Sequence, residues 1–212
     1  MARTKGVETP PLPVPAVLLD ATATPDVVDV PARSALAIDG AGPPDSPAFE
    51  RALGALYGIA YGLKFARKPA GLDFKVGPLE GRWWAEGAPE GVLQAPRETW
   101  RWRLRIGVPG DVVEADVVAI ARAAVGKKGG KLEGSEEARR VALERIPAAR
   151  VGRILHVGPY AAEKASFARM EEALAASGLR RARPHVEVYL SDPRRTKPEK
   201  LKTVLLGEIE LR

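Results

Sequence analysis

The chain reads as an α+β protein made of two related strand–helix–strand–strand modules, arranged about a pseudo-twofold axis and separated by a helical insert. Three observations predict this. Pro147-Ala-Ala-Arg-Val-Gly-Arg-Ile-Leu-His-Val-Gly-Pro159 has the outline of Pro31-Ala-Arg-Ser-Ala-Leu-Ala-Ile-Asp-Gly-Ala-Gly-Pro43, each an apolar stretch closed by Gly-Pro. Each is followed by a helical pattern and then by two strand patterns. And 212 residues suit one large domain or a tandem of two small units, each too small to be comfortable alone, so the two should pack together around a cleft.

Residues 1–26 carry five prolines and little periodicity, which predicts an extended Pro-rich arm. The first module, 27–108, opens with a strand over 27–40 and a turn at Gly40-Ala-Gly-Pro-Pro44. Ser46 then caps a helix with Pro47 in its first turn and Phe49, Leu53, Leu56 and Ala60 on one face, running to about Lys64. Tyr57 and Tyr61, four apart, form a second row beside that stripe, suited to core packing or to a cleft wall. Strands are predicted at Leu72–Val76, at Leu79–Trp84 and at Thr99–Ile106. The last is the clearest in the chain: Trp100, Trp102, Leu104 and Ile106 alternate with Arg101, Arg103 and Arg105. The insert, 109–146, should hold helices at 111–125 and 135–145, the second capped by Ser135. The second module, 147–212, repeats the order: a strand to Val157, a helix with Phe167, Met170 and Leu174 stopped by Gly178, and strands at His185–Leu190 and Lys202–Leu211.

Composition narrows the chemistry. There is no cysteine, and the two histidines stand 29 positions apart, so disulfides, thiolate chemistry and a metal centre are not expected. No cofactor motif is found: Gly126-Lys-Lys-Gly-Gly-Lys131 has the wrong spacing for a phosphate loop, lacks the Ser or Thr and follows a helix. The absence of a long apolar run and of a secretory pattern predicts a cytoplasmic protein without a membrane segment. A net charge of +6 raises nucleic acid as a partner. However, the arginine groups 101/103/105 and 180/181/183 sit in no nucleic-acid-binding motif, so no specific nucleic acid is expected.

The candidate site is His185-Val-Glu187-Val-Tyr189. Strand alternation puts His185, Glu187 and Tyr189 on one face and Val186, Val188 and Leu190 on the other, with the apolar side expected against the helices. The polar side then faces water, where Glu187 pairs with an arginine, or the cleft, where a desolvated carboxylate becomes a base near neutrality. Glu80 and Trp84 share a face of their strand, and Tyr160 sits in the turn after Gly158-Pro159, as packing or as a donor at the cleft mouth.

The strings Asp39-Gly40, Ala55-Leu-Tyr57-Gly-Ile-Ala-Tyr61-Gly-Leu-Lys64-Phe65, Pro78-Leu-Glu80-Gly-Arg-Trp83-Trp84, His156-Val-Gly-Pro-Tyr160 and His185-Val-Glu187-Val-Tyr189-Leu-Ser-Asp-Pro-Arg194-Arg195 resemble the stand-alone GyrI-like small-molecule-binding proteins over about residues 27–211. The resemblance implies a two-module fold with a ligand cleft. Its relatives include drug-sensing effector domains, a gyrase-inhibitory protein and hydrolases that open cyclopropanoid alkylators. It implies a planar, apolar or cationic ligand, with Tyr57, Tyr61, Glu80, Trp84, Trp100 and His185 lining the site. In a hydrolase, Glu187 would activate water, and Tyr160 or Tyr189 would hydrogen-bond the carbonyl where charge develops. The alternatives are a non-catalytic binder and a gyrase-inhibitor-like interaction module. Oligomeric state is left open.

Overall fold

The computed structural model describes residues 10–88, 91–182 and 184–212; the first nine residues of the arm, Pro89, Glu90 and Arg183 lie outside them. The elements follow in order: β1 (Asp26–Val30), β2 (Arg33–Ala41), α1 (Pro47–Arg67), β3 (Leu79–Ala85), β4 (Trp100–Val108), α2 (Glu114–Gly126), α3 (Glu136–Arg140), β5 (Ala142–Ile146), β6 (Ala149–Val157), α4 (Glu163–Ala176), β7 (Leu179–Arg181), β8 (His185–Tyr189) and β9 (Lys202–Leu211). All strands join one antiparallel sheet in the order β1-β6-β9-β8-β3-β4-β2-β5, with β7 added beside β9. That order is a palindrome. The β1–β2 ribbon corresponds to β5–β6, β3 to β8 and β4 to β9, so a pseudo-twofold axis runs between β3 and β8.

Three elements differ from the sequence expectation. The stretch 27–40 is two strands, because Pro31 cannot donate to a ladder; β1 pairs with β6 of the other half while β2 pairs with β4 and β5. Leu72–Val76 is extended but unladdered, held by Lys64 Nζ on Asp73 and the Phe74 carbonyl (2.6 Å each) and by Lys75 N–H on the Pro11 carbonyl (2.9 Å). The helix after Ser135 stops at Arg140, and Ala142–Ile146 becomes β5 on the free edge of β2. Edge pairing, together with Arg145 bonds to the Gly110 and Val112 carbonyls (2.9 and 2.7 Å), outweighs continued helix.

One sheet face carries the helices. On it α1 packs with Leu36, Ile38, Trp102, Leu104 and Ile106, while α4 places Phe167, Met170 and Leu174 on Ile154 and Leu205. The helices thus sit mainly on the outer strands of each half and flank β3 and β8. The expectation that the apolar side of β8 faces the helices is overturned: Val188 and its neighbour Val186 point to the reverse face. There the arm residues Val14, Leu18 and Ala21 cover them together with Val30, Val151, Val204 and Leu206. The reverse face of the first half is charged, with Asp39, Arg103, Glu144 and Arg105 tied in a chain of ion pairs at 2.6–3.1 Å.

Gly40 marks a point of close approach. A Cβ built there would lie 2.0 Å from Trp102 Cη2, and that indole is fixed by its N–H on the Gly42 carbonyl (3.2 Å). Gly40→Ala is therefore expected to cost about 1–3 kcal/mol by overpacking, read as a lowered urea midpoint at unchanged m-value.

Candidate active site

Glu187 stands at the centre of the sheet. In the β3–β8 ladder it lies opposite Gly81, with Leu79 opposite Tyr189 and Trp83 opposite His185, so Gly81, Trp83, His185, Glu187 and Tyr189 share the helix-side face. A side chain on Gly81 would meet Trp83 Nε1 at 2.6 Å and the Tyr189 hydroxyl at 3.0 Å. The missing Cβ lets the two rings reach each other across the axis, where Trp83 Nε1–H donates to the Tyr189 oxygen (2.8 Å). The phenol's own proton is left to its neighbour Glu187; burial first, then that carboxyl group, hold the Tyr189 pKa well above the ordinary phenol value.

Glu187 is 8% exposed, and His185 Nε2 lies 2.8 Å from its Oε1, where an imidazole N–H donates to a carboxylate. No arginine or lysine among the described residues forms an ion pair with it. His185 is steadied in turn by the edge of Phe167 (4.7 Å) from α4. Tyr160, in the turn before α4, meets Tyr189 edge to face at 5.8 Å, and its hydroxyl hydrogen-bonds to none of the described residues. Burial first, then the nearby Glu163 and Glu187, push the Tyr160 pKa up to about 12, so it is a proton donor throughout the physiological range. Trp83 stacks on Phe49 (5.8 Å) and meets Trp100 edge-on (5.9 Å), and Trp100 is anchored through its N–H on the Ala95 carbonyl (3.1 Å).

The other sequence candidates divide. Tyr57 is half-buried on α1 and senses Asp192 and Arg194 of the β8–β9 loop; Tyr61 stacks on it at 6.5 Å and is 45% exposed. Glu80 is on the reverse face, fully buried and bound bidentately by Arg33 (2.6 Å twice), and alternation puts Trp84 there as well. The structure therefore separates both from Glu187 and brings Trp83 to it instead. The spacing Leu79-Gly81-Trp83 carried this signal, but only the pairing with β8 selects it.

Glu163, in the first turn of α4, was not singled out by sequence. The residue is 2% exposed, and neither its Oε1 nor the buried Thr203 hydroxyl makes a hydrogen bond of normal geometry, though the two lie close enough to interact. Burial, reinforced by the charge of Glu187 and offset slightly by Thr203, raises its pKa to about 9. Burial beside a second carboxyl group thus holds Glu163 as a neutral acid at pH 7. No group of three or more potential metal ligands is found among the described residues, and none of their helices is long and apolar enough to cross a membrane.

A two-module antiparallel sheet with a carboxyl group and aromatic rings at its pseudo-twofold axis defines the class, an α+β domain with one candidate site at its centre. A sequence profile of the GyrI-like small molecule binding domain matches residues 106–206. An uncharacterized conserved protein from Listeria innocua is 31% identical, with 92% of this chain and 96% of that one covered at a TM-score of 0.83. A hydrolase from Listeria innocua is 29% identical over the same shares, with a TM-score of 0.79. The EcmrR C-terminal domain, 11% identical, matches 89% of this chain and 98% of its own at a TM-score of 0.54 and shares the fold. No curated protein matches by sequence. The chain belongs to the GyrI-like family.

Glu163 also shapes stability. Its folded pKa, about 9, lies above the ordinary 4.5, so its contribution is fully present below pH 4.5 and is lost as pH rises toward 9. Glu163→Gln should melt higher than the parent at alkaline pH, with the advantage shrinking toward acid pH, as measured by thermal scans across that window.

Proposed function

We propose that the protein binds planar, apolar or cationic small molecules between α1 and α4, over β3 and β8, and hydrolyses electrophilic members of that class such as strained cyclopropanoids. The observation that carries this reading is Glu187: a nearly buried carboxyl group with no arginine or lysine partner among the described residues, positioned by His185 and Tyr189 within a frame of Trp83, Trp100 and Tyr160. Aromatic walls favour flat ligands, and a carboxylate without an arginine or lysine partner favours cations. The Listeria hydrolase of similar sequence supports a catalytic role.

In the reaction, Glu187 takes a proton from water as the oxygen attacks the ring carbon. The carbon–carbon bond to the conjugated carbonyl system breaks, and its electron pair moves onto the carbonyl oxygen. Tyr160, whose hydroxyl is uncommitted, donates a hydrogen bond to that oxygen, and the proton on Glu187 returns to the product, giving net addition of one water. Tyr189 is the positioning residue for Glu187, because its oxygen is occupied by Trp83.

Incubation with a cyclopropanoid alkylator and mass analysis should show a product heavier by one water at substoichiometric protein. Glu187→Gln should lower turnover by about 10²–10⁴ while retaining neutral ligands. Intact ligand, protected only up to one equivalent per chain, would leave sequestration as the function.

A further inference from the structure

Glu163 has no part in that mechanism, yet it is a buried carboxyl beside the catalytic one. An acid serving only as packing would have its hydrogen-bonding capacity met inside the protein, since an unsatisfied buried oxygen is costly. Here Oε1 and the nearby Thr203 hydroxyl interact without a hydrogen bond of normal geometry, on the side of the sheet that also carries Glu187. Register places Thr203 beside Tyr189 and Leu205 beside Glu187, so α4 and β9 bring this unmet polarity to the edge of the proposed cleft.

We propose that Glu163 makes the charge of the cleft adjustable: it is the neutral acid in the ligand-free protein and releases its proton when a cation binds over Glu187 and Tyr160. The inference rests on the binding reading above and names ligand charge as what the second carboxyl senses. The groups facing Glu163 are Glu187 and Tyr189 from β8, Tyr160 from the turn before α4, and the Thr203 hydroxyl from β9; His185 reaches it only through its bond to Glu187. His156 of β6 is engaged with Ser166 Oγ (2.9 Å) and the Pro159 carbonyl (3.2 Å). None of these is a resident cation held against Glu163 by an ion pair. A bound cation would add that missing countercharge and favour the carboxylate.

The consequence is a sign and a stoichiometry. Binding that lowers the acid's pKa releases protons, and affinity for a cation then rises with pH up to about 9, by as much as about tenfold per unit, while a neutral ligand shows no such slope. A ligand carrying a second positive group gains most.

The test uses N-methylacridinium, a permanent planar cation, and neutral acridine, both followed by tryptophan quenching and by calorimetry in buffers of different ionisation enthalpy at alkaline pH. The expected result is release of about half to one proton per acridinium, none with acridine, and loss of both release and pH slope in Glu163→Gln. Retained acridine affinity certifies the variant's fold, and the parent calorimetry needs no variant. Acridinium binding without proton release, or release that survives in Glu163→Gln, overturns the proposal alone. Failure of both probes to bind removes the cleft reading and the proposal together.

Discussion

The structure turns on the meeting of Glu187 and Gly81 at the pseudo-twofold axis. Two strands that correspond to each other pair antiparallel there, and one contributes a carboxylate where the other contributes no side chain. A symmetric pair of glutamates would put like charges across a single ladder rung, which is destabilising. The glycine removes that conflict and opens the space in which Trp83 and Tyr189 bond. The first half thus serves as scaffold, filling its share with Trp83, Trp102 and Phe49, while the second half carries the ionisable groups.

This asymmetry has an energetic logic. On the helix side, apolar packing under α1 and under α4 is concentrated in two clusters, and the polar strip of His185, Glu187, Glu163 and Thr203 lies between them. Burying carboxyl groups costs stability unless they are paired. Glu80 is paired by Arg33 and belongs to the architecture; neither Glu187 nor Glu163 has an arginine or lysine partner among the described residues. Two buried carboxyl groups side by side without an arginine or lysine partner among the described residues set this place apart as the candidate site.

The reverse face explains how a polar strip can occupy the helix side at all. Val186 and Val188 must be buried somewhere, and the arm residues Val14, Leu18 and Ala21 provide that cover. Arg153 secures the arm through Asp26 and Asp20 and the Val17 carbonyl. With the apolar side of β8 sealed by the arm, the opposite side is free to present His185, Glu187 and Tyr189 beneath the helices.

Sequence by itself determined the module order, the two main helices, most strands and the chemical character of the 185–189 segment, because periodicity and turn residues are local properties of the chain. It also singled out Tyr160 and Trp100, whose rings the structure sets against Tyr189 and Trp83. Tertiary structure alone decided which face of β8 meets the helices, since that depends on an arm more than 150 residues away. It decided that Trp83 and not Trp84 joins Glu187, since the adjacent pair points both ways and register chooses between them. It ended the helix at Arg140, because the open edge of β2 offered hydrogen bonds that the local sequence could not reveal. And it alone exposed Glu163: a glutamate at a helix start looks ordinary in sequence, and only its desolvation beside a second carboxylate turns it into an acid that keeps its proton at neutral pH.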